Sequence, residues 1–384
     1  MKELTEQFCL RDDLSTYDPY DIWKTSAGLA IKKLYNSHPR AGLIPAAAFA
    51  LFDDVLNNRA RLFYQRMEYP IVRAMAAMSL LNLFEASRDS RYREYAGRHL
   101  EWLIDHSCRG YSGLCWGLGF PNAVTKEIVY ASDVPYTTMT PYPLEALVHY
   151  SELTGDTRFD EAIAGVRRFF DHDVVVMEED DQAMAVSYGP FRDRTVINAS
   201  SYTMSSYALL LNYVPSADRG EIRRKIRKLY AFVRRHQRAD GSWLYAPSGS
   251  SFIDCFHSCI VLKNLVKTGH RMVLDDANRV VESGYVYLKR ALLDTNRVLF
   301  RRFSVANKQG LVRFDLYDNA EALNLAQLLG DRALTGPLAE SILRHFVKDR
   351  EIYSQIDIFG VRRGKNFLRW AAMPFLYAAS TRAA

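Results

Sequence analysis

Cysteine is scarce in this sequence: five residues in 384, an odd number without the regular spacing of a disulfide framework. That excludes a small disulfide-stapled scaffold and fits reduced thiols. Two of them, Cys255 and Cys259, flank His257 in "CFHSC". Structural zinc sites need four ligands from separated positions, however, and there is no second Cys/His cluster, so no metal is expected. Long apolar runs are also missing. The nearest, "AGLIPAAAFALF", is too short and too proline-broken to span a bilayer, and "MKELTEQFCLRDDLSTYD" has no apolar stretch of signal-peptide length. The expectation is a cytoplasmic protein without integral membrane contact. There is no Gly-rich phosphate loop or dinucleotide fingerprint, so no cofactor is implied. No nucleic-acid-binding motif accompanies the basic residues, so no nucleic acid is expected as a partner.

What is present is core material. The chain is 48% hydrophobic and 12% aromatic, enough for one large buried core, and a single domain over residues 1–384 is expected. The net charge of +6 comes from amphipathic helices such as "EIRRKIRKLYAFVRRHQR" rather than from a tail. It reads as a solvated helix face or, more sharply, as attraction to an acidic polymer.

A repeat organises the chain. "LVHYSELTGDTRFDEAIAGVRRFF" is an apolar helix, a Gly155-Asp156-Thr157 break, then an amphipathic helix, and "LLNLFEASRDSRYREYAGRHLEWL" repeats the form. Breaks near residues 88, 155, 217, 269 and 330 lie 67, 62, 52 and 61 residues apart, a period that suits helical hairpins joined by long loops. In each pair the first helix is apolar nearly all round and the second carries charge on one face. That pattern predicts an inner and an outer layer. Five hairpins, with a sixth made by "NFLRWAAMPFLYAAS" and an early helix such as "IWKTSAGLAIKKLY", would close an all-α (α/α)6 toroid. Short β-like pieces, "VVVMEEDDQAMAV" and "RVLFRRFS", read as ribbons in the loops. The acid cluster at 178–181 is expected to be a solvated turn.

The long loops entering the inner helices should gather at one end of such a ring. They read "GYSGLCWGLGFPNAVTKE", "SYGPFRDRTVINASSY", "DGSWLYAPSGSSFIDCFH", "VRFDLYDNAEA" and "QIDIFGVRRGKNFLRW". Each mixes aromatics, which stack on sugar faces, with groups that hydrogen-bond hydroxyls. Asp254 and His257, at i and i+3 in the first turn of an inner helix, can point at one region as a base and its orienter or as a proton donor beside a carboxylate. The structural alternative is a helix cap and a satisfied histidine. Asp193, Asp315 and Asp318 are candidate second carboxylates, and Arg192, Arg362 and Arg369 could hold an acidic sugar. Two carboxylates would permit glycoside hydrolysis. Proton abstraction beside a uronate carboxylate would instead use Asn198 or an arginine to neutralise the acid, with His257 or Tyr202 as base or acid, giving a lyase or an epimerase. The expected catalytic set is Asp254, His257, Asn198, Tyr202 and Asp315. The expected substrate-binding set adds Trp116, Asn122, Tyr188, Arg192, Asp193, Trp243, Tyr317, Asn319, Arg362 and Arg369.

"QRADGSW" resembles the QxxDGSW turn of squalene cyclases and other α/α toroids, in which Gln and Trp brace adjacent hairpins; a single copy speaks against a terpene cyclase. More widely, "YDPYDIWKT", "CWGLGFPN", "SYGPFRDRTVINAS", "QRADGSWLY" and "FIDCFHSCIVLKNL" resemble the VpsJ-like toroid proteins of bacterial capsule, exopolysaccharide and O-antigen loci. Asp254, Phe256 and His257 match that family's "iDnfHtGf" motif, while Cys255 and Cys259 replace its Asn and Gly. Asp193 and Asn198 match its "D...viNA" segment, and Trp116-Gly117 its "WG". The resemblance implies a role in making or trimming a surface glycan. The architecture is also similar to six-hairpin glycosidases and the helical domain of glucuronyl C5-epimerases. The leading expectation is a carbohydrate-active enzyme, hydrolase, lyase or epimerase, acting on an acidic bacterial surface polysaccharide or its oligosaccharide precursor. The alternatives are a glycan-binding or scaffold subunit working with polysaccharide-assembly proteins, and an isoprenoid cyclase.

Overall fold

A computed structural model describes residues 1–123, 127–248, 251–306 and 310–381. The chain opens with α1 (Lys2–Cys9), α2 (Asp21–Lys24), α3 (Ser26–Ser37) and α4 (Pro39–Leu51). It then alternates between apolar and amphipathic helices: α5 (Pro70–Ser87) and α6 (Ser90–Asp105), α7 (Pro141–Thr154) and α8 (Asp160–Arg168), α9 (Ile197–Leu210) and α10 (Arg219–Arg235), α11 (Cys255–Arg271) and α12 (Ala277–Leu292), α13 (Leu316–Leu328) and α14 (Arg332–Phe346). The last helix is α15 (Met373–Ser380).

The layers follow from composition. In α5, "PIVRAMAAMSLLNLFEAS", small or apolar residues occupy every face, and the helix is buried continuously from Pro70 to Asn82. In α10 the buried residues are Ile222, Ile226, Leu229, Tyr230, Phe232 and Val233, one stripe of an otherwise charged helix. The inner helices α5, α7, α9, α11, α13 and α15 each pack on the next, and α15 returns to α5. The fold is therefore an all-α (α/α)6 toroid. Left-handed residues end its helices near the expected breaks, with Arg88 at φ 59° after α5 and Gly155 at φ 70° after α7.

The sixth pair differs from expectation. Residues 22–35 do not pair with α15; α1 packs against both α15 and α5. The reason is burial. α1 places Leu4, Phe8 and Cys9 inside, whereas α3 buries only Gly28 and leaves Leu34 and Tyr35 exposed. Instead α3 folds against α4 as a hairpin apart from the ring, at a crossing so close that a Cβ on Gly42 would lie 2.4 Å from the Tyr35 Cα.

"QRADGSW" acts as the brace its resemblance implies. Gln237 donates to the carbonyls of Gly241 and of Val280 in α12, and the Trp243 indole donates to Val233 in α10 while its ring lies over Gly284. Two neighbouring outer helices are thereby locked together. The β pieces are loop ribbons with one larger member, an antiparallel sheet in which Glu351–Asp357 pairs with Val347–Lys348, Arg362–Lys365 and Val312–Asp315. The acid run at 178–181 is a surface turn paired with Lys228 and Arg235. Among the described residues no helix is long and apolar enough to cross a membrane.

Candidate active site

The five long loops do meet. They enclose a cavity of about 270 Å³ at the mouth of the ring, and each contributes side chains: Phe120 and Asn122; Tyr188, Arg194, Asn198 and Tyr202; Tyr245, Phe256 and His257; Tyr317; Arg369 and Trp370. Residues 124–126 and 249–250 of two of these loops lie outside the described set. The cavity opens beside a larger groove of about 890 Å³, and Tyr20, Lys32 and Trp370 line both.

His257 reaches the cavity from the first turn of α11. Asp254, buried at the N-cap, accepts the His257 backbone N–H at 3.1 Å and the His257 Nδ1–H at 2.7 Å. One carboxylate therefore both caps the helix and fixes the ring. With Nδ1 donating to Asp254, Nε2 carries the lone pair of the neutral imidazole. The ring is wedged between Phe256 and Tyr245, with centroids 3.9 and 4.6 Å away.

The cavity wall is cationic. Arg194 lies 4.9 Å from the Tyr188 ring centroid and 5.6 Å from that of Tyr245, and its buried Nε has no hydrogen-bond partner among the described residues. Arg369 is held by both oxygens of buried Asp18. Burial works against the Arg369 charge, but the Asp18 carboxylate outweighs it and raises the pKa, so the guanidinium stays charged. Lys32 donates to Asn122 from α3. Asn198, at the start of α9, is buried, and its Oδ1 has no partner among the described residues. An unpaired buried amide oxygen is costly, and two such polar atoms on the residues of one cavity mark where a polar ligand would be bound.

Tyrosines supply hydroxyls. Tyr142 Oη lies 2.5 Å from Tyr202 Oη and 3.3 Å from Tyr317 Oη. Burial pushes the pKa of all three, and of Tyr245, well above the usual phenol value. They are hydrogen-bond and proton donors, not bases, at neutral pH. No carboxylate is among the described residues lining this cavity.

Other expected residues sit elsewhere. Trp116 is wholly buried, its indole bound to the Leu103 carbonyl, and Trp243 is the brace of the outer layer. Arg192 faces outward and binds the carbonyls of Val176 and Met177, and Arg362 binds those of Arg344 and His345. Asp193 receives the Tyr130 hydroxyl and the Tyr188 amide, and Asn319 ties down the backbone of Phe300. Asp315 is not free to react: Tyr317 N, Gln355, Trp370 Nε1 and Arg302 all converge on it. It fixes two rings of the cavity wall. Asp318 lies behind Phe256, whose amide it accepts; burial, with Asp315 alongside, raises its pKa well above the carboxylate range. Arg194, Tyr245, Tyr142 and Trp370 were not singled out from the sequence. For Arg194 the signal was ambiguous, since "RDR" offers two arginines and only the backbone path decides which one turns inward.

No known family model matches the chain, and no curated protein is similar to it in sequence. Solved structures share its fold. A sugar epimerase from a ruminal bacterium superposes with TM-score 0.61 at 12% identity, over 83% of this chain and 88% of that one. The GH76 α-mannanase of Bacteroides thetaiotaomicron gives 0.60 at 11%, over 94% and 98%. A polysaccharide lyase gives 0.55 at 10%, over 93% and 97%.

Proposed function

We propose that the protein is a carbohydrate-active enzyme that removes the proton next to the carboxylate of a uronate residue in an acidic saccharide, such as the surface glycans implied by the sequence resemblance. The observation that carries this reading is the charge of the cavity: Arg194, Arg369 and Lys32 line it, and no described carboxylate does. Hydrolysis by a carboxylate pair lacks its two residues here, since Asp254 is spent on His257 and Asp315 on the cavity wall. The asparagine and arginine side chains also favour a saccharide over an isoprenoid, and the proteins of similar fold include enzymes of sugar chemistry.

Each group has a role in that reaction. Arg194 and the Asn198 side-chain N–H hold the substrate carboxylate and stabilise the negative charge that builds on it as the carbon–hydrogen bond breaks, while Asn198 Oδ1 accepts from a sugar hydroxyl. His257 Nε2 takes the proton, and Asp254 stabilises the resulting imidazolium. The electron pair then either expels the neighbouring glycosidic oxygen, protonated by a hydroxyl of the Tyr142–Tyr202–Tyr317 cluster, or takes a proton from that cluster on the face opposite His257. In both cases His257 then gives up its proton and the tyrosine is reprotonated through solvent. The first is elimination and the second epimerisation.

The test is mass spectrometry of uronate-containing oligosaccharides incubated with the protein in heavy water. Unsaturated products mark elimination, deuterium uptake without cleavage marks epimerisation, and loss of either in His257→Ala places the histidine at the reaction. New saturated reducing ends without deuterium on carbon would overturn the proposal in favour of hydrolysis. Retention of the sugars with no chemistry at all would favour a binding subunit.

A further inference from the structure

The α3–α4 hairpin, whose second helix is apolar on nearly every face, leaves much of that apolar surface exposed. Of the exposed residues of α4, positions 40, 43, 44, 47, 48 and 51 follow helical spacing and carry Arg, Leu, Ile, Ala, Ala and Leu, with Leu43 and Ala47 on the rim of the large groove. An outward helix face of a water-facing protein is normally polar, so this stripe has no purpose in water. Two further apolar tips adjoin the end of α4. Asn57 closes the turn that displays Leu62 and Phe63 through hydrogen bonds to Leu62, and Arg363 and Gly364, at the base of the strand hairpin that displays Phe359, bond to Asp54 and Asn58. Ile44 is 77% exposed, Leu56 75%, Phe63 88% and Phe359 78%. A patch built from three segments and knit by hydrogen bonds is a constructed surface rather than scattered exposure.

Charge identifies what covers it. Between residues 26 and 66 the exposed charged side chains are Lys33, Arg40, Arg59 and Arg66; of the two acids, Asp53 is buried against Arg61 and Asp54 is half-buried on the wall of the groove. Exposed apolar side chains in a segment whose exposed charges are all cationic, on helices of 12 and 13 residues that are too short to span, match the interface of an anionic bilayer. A second copy of this chain would set the same exposed cations against one another.

We infer that the α3–α4 hairpin and the adjoining tips form a peripheral docking surface for an anionic lipid bilayer. The apolar side chains enter the headgroup boundary and the four cations meet the lipid phosphates. Because α3 and α4 also wall the groove beside the cavity, docking sets that groove against the membrane surface.

Flotation of the full chain with vesicles of equal parts phosphatidylcholine and phosphatidylglycerol, against phosphatidylcholine alone, tests this. The protein should float with the anionic vesicles only and be released by salt. Ile44→Glu with Leu56→Glu should abolish flotation, and Arg40→Ala or Arg59→Ala should each weaken partitioning about fivefold, with helicity and sugar chemistry unchanged in all of them. Protein that stays in solution with both vesicles, or that still floats with both glutamates in place, overturns the inference. A dimer in sedimentation that the same glutamates dissociate, without flotation, overturns it in favour of a second copy of the chain. Since the readout is binding, its failure leaves the proposed chemistry untouched.

Discussion

Asp254 and His257 sit one helical turn apart with Oδ2 and Nδ1 separated by 2.7 Å, and the same carboxylate caps the helix that carries the histidine. Replacing the acid therefore touches stability and chemistry by separable routes. Asp254→Asn keeps a good N-cap, so the melting temperature should stay near that of the wild type. The imidazole, however, loses its charged partner, and kcat should fall by about 10²–10⁴, as should that of His257→Ala. Wild-type turnover in both variants would remove the pair from the reaction.

Arg194 is expected to recognise the acid group rather than to support the fold. Arg194→Gln should raise KM for uronate oligosaccharides by about tenfold or more, in keeping with loss of a charge-assisted contact, with little change in unfolding midpoint. Arg192→Gln, on the outer surface, serves as the control and should leave KM unchanged.

His99 predicts how stability responds to acid. Its Nδ1 accepts from Arg73 and its Nε2–H donates to the Cys9 carbonyl, which joins α6 to α5 and α1 around a neutral ring. Burial depresses its pKa to about 4, and the Arg73 charge adds to the effect. The sign follows: above about pH 6.5 neither state binds the proton, whereas below it the unfolded chain does and the folded one does not. Stability is thus full at neutral pH and declines as pH falls from 6.5 toward 4, by about 3 kcal/mol from this group. Denaturant melts across that window should show the decline, and His99→Asn should flatten it.

Trp243 should behave as a structural residue. Trp243→Ala leaves a void over Gly284 and frees the Val233 carbonyl, at a cost of about 3–5 kcal/mol in chemical denaturation, while KM for the saccharide stays as it was at temperatures where the variant is folded.

The parts legible in the sequence were those with a periodic or local signature. Alternation of all-apolar with one-faced helices gave the ring, and "DGSW" and "FIDCFH" marked the brace and the acid–histidine turn. The closing helix was not legible, because eight residues of mixed polarity at Lys2–Cys9 carry a weaker helical signal than the longer stretch at 22–35, which goes elsewhere. Trp116 and Trp243 show a second limit. An aromatic in a loop looks the same whether it faces sugar or core, and here indole hydrogen bonds to Leu103 and Val233 decide for the core. Whether a carboxylate is free or already engaged, as with Asp315, depends on partners up to 55 residues away.

The cavity draws on both ends of the chain: Tyr20 lines it from one, Arg369 and Trp370 from the other, and Asp18 anchors Arg369 across 351 residues. During synthesis, then, no partial chain can hold this pocket. Until residue 370 has left the ribosome the wall is open, so the pocket is completed in a single late step, and any fragment released early lacks the Arg369 and Trp370 side of it however well its first hairpins have folded.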